Sequence, residues 1–161
     1  MINVVLIEPE IPQNTGNIAR TCAAVGARLH LVEPMGFKVD DAKLKRAGLD
    51  YWYHLDITYY KNTDEFFGCA ENQSLYFFTT KAAKLYSEAS YGENPYLIFG
   101  KETAGIPEDI LTRNLGRCVR IPMRDSLRSL NLSNAAAVGV YEALRQNNFE
   151  GLKFEGKFKD F

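Results

Sequence analysis

Short apolar runs alternate with amphipathic stretches along the whole chain. The apolar runs, bounded by Pro, Gly or polar residues, predict buried strands. They lie at residues 2–7, 29–32, 75–79, 96–99 and 118–121. Apolar residues at helical spacing, with Gly or Pro near the ends, predict helices. These cover residues 16–25, 40–47, 64–70, 107–115 and 132–146, whereas the aromatic stretch 51–60 fits either element. The alternation predicts an α/β domain with a mostly parallel sheet.

The length and composition are those of one globular domain. The chain has 161 residues, of which 46% are hydrophobic and 24% charged. A chain of this length buries enough surface to fold without disulfides or a structural metal. No repeat or linker interrupts the sequence. We therefore expect a single domain over residues 1–161, with residues 147–161 forming a tail rich in Lys, Phe and Gly.

Charge and cysteine content narrow the possible functions. Lys and Arg total 19 and Asp and Glu total 20, so a nucleic acid would have to meet a local basic patch. Cys22, Cys69 and Cys118 form no CxxC pair, which argues against a disulfide framework or a zinc site. The chain has neither a cationic leader nor an apolar run of about 18 residues. We expect a cytoplasmic protein that uses no metal and contacts no membrane.

Polar clusters follow three predicted strands at their carboxyl ends, where open α/β sheets place their ligands. The first cluster opens the first predicted helix. Asn14 and Thr15 either cap this helix or, together with Arg20, bind a ligand. Asn17 and Arg20 are three positions apart and share a helix face, and a guanidinium suits bidentate contact with phosphate. Both interpretations stay open.

The second cluster, residues 99–107, places a charged loop between two glycines. Gly100 and Gly105 allow backbone conformations that other residues avoid, and they let a ligand approach the main chain. The loop matches neither GxGxxG nor the phosphate-binding P-loop. It is either a tight strand-to-helix turn or a binding loop in which Glu102 orients a cationic or hydroxyl-bearing group.

The third cluster, residues 121–134, joins the last predicted strand to the longest helix. Ser133 or Asn134 can cap that helix. Residues 129–134 nevertheless carry more polar side chains than one cap uses. The small residues at 135–137 and 139 allow this helix to lie close to another backbone, either in the core or across a dimer.

Basic residues are concentrated in two stretches. One contains Arg113, Arg117, Arg120, Arg124 and Arg128, with Asp125 as its single acid, and the other contains Lys38, Lys43, Lys45 and Arg46. Each is either an RNA-facing surface or an ordinary solvated surface of mixed charge. The two histidines, His30 and His54, have no Cys or Asp partner at metal-ligand spacing, so we interpret both as structural.

Taken in order, these clusters make the chain similar to a known family. It resembles the SPOUT superfamily of RNA methyltransferases, in particular the small tRNA (cytidine/uridine-34) 2′-O-methyltransferases. The similar segments are EPEIPQNTGNIAR at 8–20, EPMGF at 33–37, RAGLDY at 46–51, FGKETAGIP at 99–107 and IPMRDSLRSLNLSN at 121–134. Three features depart from the family pattern. Lys101 replaces a commoner Pro, Ala104 replaces a frequent Arg, and the order of residues at 125–127 differs from the usual loop.

The resemblance implies a fold and a cofactor that composition and periodicity do not indicate. It implies a deep trefoil knot in the C-terminal half, with the knot and cofactor site at about residues 75–146, although knotted chains are rare. The knot loops hold S-adenosylmethionine, and the product is S-adenosylhomocysteine. The implied cofactor contacts are Phe78, Thr79, Gly100, Ile121, Met123, Ser129 and Leu130. The family pattern also implies a homodimer with the last helix in its interface and a tRNA site built from both subunits.

The implied reaction is attack of a ribose 2′-oxygen on the sulfonium methyl group. For this the protein must align the two groups and help to remove the 2′ proton. Related members give the position of Arg20 the role of base. Because a guanidinium stays protonated, we expect Arg20 to hold the neighbouring phosphate and to stabilise alkoxide charge instead. Asn14 and Asn131 are expected to orient the substrate or Arg20, and Glu102 to pair with Arg20 or to support the cofactor loop.

The leading functional hypothesis is therefore 2′-O-methylation of the wobble nucleotide, cytidine or modified uridine 34 of tRNA. Three alternatives remain. The first is 2′-O-methylation at another tRNA or rRNA position. The second is a non-catalytic RNA-binding scaffold with the same fold. The third is a dinucleotide-dependent oxidoreductase, which the absence of a GxGxxG fingerprint disfavours.

Overall fold

A six-stranded parallel sheet forms the centre of the molecule. The computed structural model describes residues 1–38, 52 and 55–156. The strands are β1 (Asn3–Ile7), β2 (Arg28–Val32), β3 (Ile57–Tyr60), β4 (Ser74–Phe78), β5 (Pro95–Phe99) and β6 (Cys118–Val119). Their order is β3-β2-β1-β5-β4-β6, and every pairing is parallel. The predicted α/β class with a parallel sheet is confirmed.

Helices cover both faces of this sheet. They are α1 (Pro12–Val25), α2 (Thr63–Cys69), α3 (Glu108–Arg113) and α4 (Leu132–Gln146). Ile18 of α1 and Val140 of α4 pack on one face with Leu6 of β1. On the other face Phe66 of α2 and Ile110 of α3 pack with the residues of β1 that point the opposite way. Alternate strand residues thus enter different cores, because successive side chains of a strand point to opposite faces.

The predicted element boundaries are mostly close to the observed ones, with three differences. The first helix begins at Pro12 and not at residue 16, since proline is tolerated in the first turn, where a backbone N–H has no partner within the helix. The last strand ends at Val119 and not at residue 121, because it pairs only with the end of β4. The ambiguous stretch 51–60 contains β3. The predicted helix over 40–47 lies outside the described residues.

The strand order creates a crevice between β1 and β5 at their carboxyl ends. After β1 the chain crosses through α1 on one face to β2, and after β5 it crosses through α3 on the other face to β6. Neighbouring strands whose connections leave toward opposite faces form the usual ligand-binding crevice of open α/β sheets. The loops that follow β1 and β5 therefore meet at this point, and they carry the first two polar clusters.

A buried polar cluster lies within the other half of the sheet. His30 of β2 is 5% exposed; its Nδ1 lies 3.0 Å from the Tyr60 hydroxyl and its Nε2 lies 3.2 Å from Asn3 Oδ1. Because the amide oxygen only accepts, Nε2 carries the proton and Nδ1 accepts from the tyrosine. Burial lowers the pKa of His30 to about 4, against an opposing effect of Asp56. These contacts agree with a structural role for His30, while His54 lies outside the described residues.

The helices and the C-terminal tail each bear on a sequence-based expectation. Within residues 1–38, 52 and 55–156, none of the helices combines the length and the apolar character that crossing a membrane requires. The predicted tail is partly packed, since Phe149 and Leu152 contact the core that α1 and α4 share.

Candidate active site

A cleft of about 460 Å³ opens where four strand-end segments meet. This volume is within the range of roughly 300–1,000 Å³ that is usual for small-molecule sites. Its walls come from the first turn of α1, the end of β4, the loop after β5 and the segment between β6 and α4. All three polar clusters identified in the sequence contribute residues to it.

Two stacked aromatic rings form the apolar base of the cleft. The ring centroids of Phe78 and Phe99 are 4.7 Å apart, and both side chains line the cleft. Helix α4 crosses behind them at Gly139, where an added Cβ would lie 2.8 Å from the end of the Phe78 ring. A glycine at this position therefore lets the helix approach the rings without displacing Phe78 toward the cleft.

The loop after β5 is a closed turn that projects Glu102. The N–H of Gly105 donates to the carbonyl of Lys101 at 2.8 Å, and Gly105 has a φ of +71°. A Cβ on Gly100 would lie 2.0 Å from the backbone of Gly105. Both glycines are thus required by the turn itself, so the tight-turn interpretation is correct. The turn also forms one wall of the cleft, so the two interpretations do not exclude each other.

The residues expected to contact a cofactor all line this one cleft. They are Phe78, Thr79, Gly100, Ile121, Met123, Ser129 and Leu130. The lining combines flat aromatic and aliphatic surface with backbone and hydroxyl groups. Such a lining fits S-adenosylmethionine, whose adenine needs an apolar slot and whose ribose and amino acid groups need polar partners.

Three of the four residues expected to be catalytic form one hydrogen-bonded chain. Glu102 Oε1 accepts from Asn14 Nδ2 at 3.0 Å, and Asn14 Oδ1 accepts from Asn131 Nδ2 at 3.0 Å. Asn131 Oδ1 in turn accepts from the N–H of Ser133 at 2.9 Å. Asn14 is 5% exposed, so its amide is held rigidly between the two neighbours. These hydrogen bonds connect segments that are up to 117 positions apart in sequence.

The helix ends differ from the sequence-based interpretation. Asn14 lies inside the first turn of α1 and is not its cap; the N-cap is Ile11, which makes no side-chain cap hydrogen bond. The carboxylate of Glu102 binds the backbone that leads into the helix, since it accepts from the N–H of Glu10 at 2.8 Å and of Ile11 at 3.2 Å. Helix α4 is capped by Asn131, not by Ser133 or Asn134.

Arg20 lies outside the cleft. It lies on the exposed surface of α1, six positions after Asn14, and it is not among the residues that line the cleft. Asn17 is also exposed on this helix. The structure therefore divides the predicted site into an enclosed part, which contains Asn14, Glu102 and Asn131, and an outer position at Arg20.

Several residues at the site had no predicted role. Glu10 Oε2 accepts from the N–H and the hydroxyl of Thr103, and Glu8 forms an ion pair with Lys101 at 2.8 Å. Glu8 has a φ of +50°, an uncommon conformation for a residue other than glycine that often marks functional sites. Glu10 stood within the resembling motif, but no local signal could reveal a partner 93 positions away.

Of the predicted basic stretch, Arg128 lines the cleft, whereas Arg113 pairs with Asp109 on α3. Within the described part of the chain, no group of three or more His, Cys, Asp or Glu residues is arranged to hold a metal ion.

Comparison with known proteins places this geometry in context. Residues 1–141 match the model of the SpoU rRNA Methylase family. A tRNA (cytidine(34)-2'-O)-methyltransferase from Saccharophagus degradans is 51% identical, with 95% of this chain and 100% of that protein covered. A structure solved in a study of the 2-OH methylation of C/U34 on tRNA has a TM-score of 0.86 and 44% identity, and the match covers 92% of this chain and 97% of that one.

A solved structure with lower sequence identity has the same fold. The SpoU methyltransferase AviRb from Streptomyces viridochromogenes, in complex with the cofactor AdoMet, has a TM-score of 0.79 and 27% identity. The match covers 91% of this chain and 57% of that chain.

Proposed function

Because this chain belongs to the SpoU rRNA methylase family, we propose that it is a tRNA 2′-O-methyltransferase that modifies nucleotide 34. It transfers a methyl group from S-adenosylmethionine to the ribose 2′-oxygen of cytidine or a modified uridine at the wobble position. The observation that carries this proposal is the 51% identity, over 95% of the chain, to a protein named for that reaction. The AdoMet-bound relative supports the cofactor.

The cleft supplies the binding surface for the methyl donor. S-adenosylmethionine, when bound, supplies a methyl group that is already activated on a sulfonium sulfur. The residues that would hold it all line the cleft: Phe78, Thr79, Gly100, Ile121, Met123, Ser129 and Leu130. In-line placement of donor and acceptor is the main catalytic requirement. The only other chemistry is release of the 2′-hydroxyl proton, which passes to solvent water.

The hydrogen-bonded side chains of Glu102, Asn14 and Asn131 orient the reacting groups. Glu102 fixes the first turn of α1 and the amide of Asn14, and Asn14 in turn fixes Asn131. These amides lie at the edge of the cleft, where they hold the target ribose by hydrogen bonds. Their rotamers are set before the substrate arrives, so the substrate does not have to order them.

Arg20 acts from outside the cleft on the RNA. Its guanidinium binds the phosphate beside the target nucleotide and stabilises negative charge that develops on the 2′-oxygen. Its exposed position on α1 suits contact with a nucleic acid backbone better than contact with an enclosed cofactor. Arg128, which lines the cleft, is available to the same RNA.

The assembly belongs to the same proposal. The protein forms a homodimer through α4, and the half-exposed Tyr141 supports this. Residues of about 75–146 form a trefoil knot within a single domain of 1–161, followed by the tail 147–161. Pairing of Leu85 with Arg120 supports the knot, since it brings the loop after β4 against the segment that leads into the cleft. The enzyme works in the cytoplasm on tRNA and uses no metal.

The test is methyl transfer from labelled S-adenosylmethionine to total tRNA and, separately, to ribosomal RNA. Nuclease digestion then identifies the labelled nucleotide. Label on the 2′-oxygen of nucleotide 34 is the expected result. Label only in rRNA or at another tRNA position would keep the enzyme class and overturn the target. An absence of label together with an absence of S-adenosylhomocysteine binding would favour the scaffold alternative.

A further inference from the structure

Two glutamates exchange contacts across the crevice between β1 and β5. Glu102, on the loop after β5, accepts from the backbone N–H groups of Glu10 and Ile11. Glu10, on the loop after β1, accepts through Oε2 from the N–H of Thr103 at 3.1 Å and from its hydroxyl at 2.7 Å. We call these four residues, Glu10, Ile11, Glu102 and Thr103, the clasp. Each loop thus supplies one carboxylate, and it supplies two hydrogen-bond donors to the carboxylate of the other loop.

The clasp connects the cofactor wall to the helix that faces the RNA. The loop 100–105 is a wall of the cleft, and the turn that begins α1 carries Asn14. Hydrogen bonds to a carboxylate are shorter and stronger than those between neutral groups. The clasp therefore sets the separation between these two elements more firmly than the apolar contacts of an open cleft would.

A third loop supports Glu10 from behind. The N–H of Gly36, in the loop after β2, donates to the carbonyl of Pro9 at 2.9 Å. A Cβ on Gly36 would lie 2.8 Å from the Cα of Glu10 and 2.9 Å from its carbonyl oxygen. The backbone of Glu10 is consequently held between the loop after β2 and the loop after β5, with no room for a side chain at position 36.

From this arrangement we propose that Glu10 is a positioning residue for methyl transfer. Its carboxylate holds Thr103, and through Thr103 it holds the cofactor wall in register with Asn14 and Asn131. The inference rests on the proposed function, because it assumes that the cleft binds the methyl donor. Glu10 touches neither reacting group. Its effect is on the geometry of the cleft, where a misplacement of about 1 Å is enough to slow a reaction about a hundredfold.

The test compares a variant that removes the contact with one that keeps it. Glu10→Ala removes the acceptor, whereas Glu10→Gln keeps an amide oxygen that can accept both bonds from Thr103. We expect Glu10→Ala to weaken S-adenosylhomocysteine binding about tenfold in calorimetry and to lower kcat by about ten- to a hundredfold. Glu10→Gln should stay within about threefold of wild type in both, and KM for tRNA should change little in either variant.

Variants of Thr103, the partner of Glu10 in this contact, give a second and independent test. Thr103→Val removes the hydroxyl donor but keeps the backbone N–H, so its effect should be smaller than that of Glu10→Ala, and Thr103→Ser should restore activity. The double variant Glu10→Ala/Thr103→Val should be no worse than Glu10→Ala alone, because both changes break one contact. Glu71→Ala, at an exposed carboxylate before β4, is the matched control and should leave every value unchanged.

Three outcomes would overturn the inference. The first is that Glu10→Ala keeps wild-type S-adenosylhomocysteine affinity and kcat. The second is that Glu10→Gln lowers both values as much as Glu10→Ala does. The third is that the fold-reductions of kcat in Glu10→Ala and Thr103→Val multiply in the double variant. A wild type that binds S-adenosylhomocysteine but methylates no tRNA would overturn the proposed function alone, since the affinity series would still decide the role of Glu10. A wild type that does not bind S-adenosylhomocysteine would overturn both.

Discussion

The clasp at the cleft and the His30 cluster are two polar networks in the same sheet, built in opposite ways. The clasp uses carboxylates on loops at the edge of the sheet, and Thr103 within it is exposed. The His30 cluster uses neutral groups on strands, with His30 and Asn3 both at most 5% exposed. Burial costs a charged group more free energy than a neutral one. The charged network accordingly lies where water and ligands can reach it, whereas the neutral network is buried.

The difference separates a network that can serve binding from one that serves folding. The contacts of His30 end within the sheet, at Asn3 and Tyr60. The contacts of Glu102 continue through Asn14 to Asn131, at the edge of a cleft. Changes on the cleft side should therefore alter turnover, whereas changes around His30 should alter stability.

Arg20→Ala should give the largest effect. If Arg20 stabilises charge in the transition state, its removal should lower kcat on tRNA by about 100- to 1,000-fold, as loss of one such group does in other enzymes. Affinity for S-adenosylhomocysteine should stay within about twofold, because Arg20 does not line the cleft. Calorimetry and single-turnover kinetics measure the two quantities.

Arg28→Ala is the matched control for this change. Arg28 is also exposed, but it lies at the start of β2, at the opposite end of the sheet, where it pairs with Asp56. It should keep wild-type turnover. Wild-type turnover in Arg20→Ala would remove Arg20 from the catalytic assignment.

Acid should weaken the fold through His30. Burial lowers the pKa of the folded histidine from 6.5 to about 4, so between these values the unfolded chain binds a proton that the folded chain does not. Stability due to neutral His30 is therefore complete above about pH 6.5 and is lost as the pH falls toward about 4. The loss amounts to at most roughly 3 kcal/mol. Denaturant unfolding at a series of pH values measures it.

His30→Gln isolates this contribution, because glutamine can form hydrogen bonds but does not titrate. The difference in unfolding free energy between wild type and His30→Gln should shrink as the pH falls from 6.5 to 4. A difference that is constant across this interval would show that His30 does not titrate as its burial implies.

A pair of Gly→Ala changes should give smaller effects of opposite sign. At Gly139 the new methyl group would press on the Phe78 ring, 2.8 Å away. This overpacking should cost about 1–3 kcal/mol of stability and weaken S-adenosylhomocysteine binding. At Gly68 of α2, which has no neighbour within 4 Å of the added Cβ, alanine should stabilise the fold by about 0.5–1 kcal/mol.

Thermal unfolding and calorimetry on both glycine variants measure these effects. Equal effects at the two positions would contradict the close approach of α4 to the aromatic base of the cleft.

The elements with strong local patterns could be predicted from the sequence. The apolar run predicts β1, and the helical pattern predicts α4 with both ends correct, because these two patterns are long and uninterrupted. The start of α1 differs from the predicted residue 16, because Pro12 is as typical of a loop as of the first turn of a helix. The strand β3 lies in the stretch 51–60, for which the sequence leaves helix and strand open, since its aromatic residues fit both elements.

The site could be predicted only in part. Polar side chains after strand ends indicated where the cleft lies, and the resemblance indicated which residues line it. The link from Asn14 to Asn131 and the role of Glu10 depend on β1 and β5 being neighbours. A simple alternation of strands and helices does not determine strand order, so contacts across 93 or 117 positions required the structure.

The central claim is that the 2′-oxygen of nucleotide 34 accepts the methyl group. The most direct test uses two tRNA molecules that differ only in where one 2′-hydroxyl is replaced by hydrogen, at nucleotide 34 or at the neighbouring nucleotide 35. With labelled S-adenosylmethionine, the tRNA that lacks the 2′-hydroxyl at nucleotide 34 should take up no label. The tRNA that lacks it at nucleotide 35 should take up as much label as a tRNA with both 2′-hydroxyls. Equal labelling of both would contradict the account.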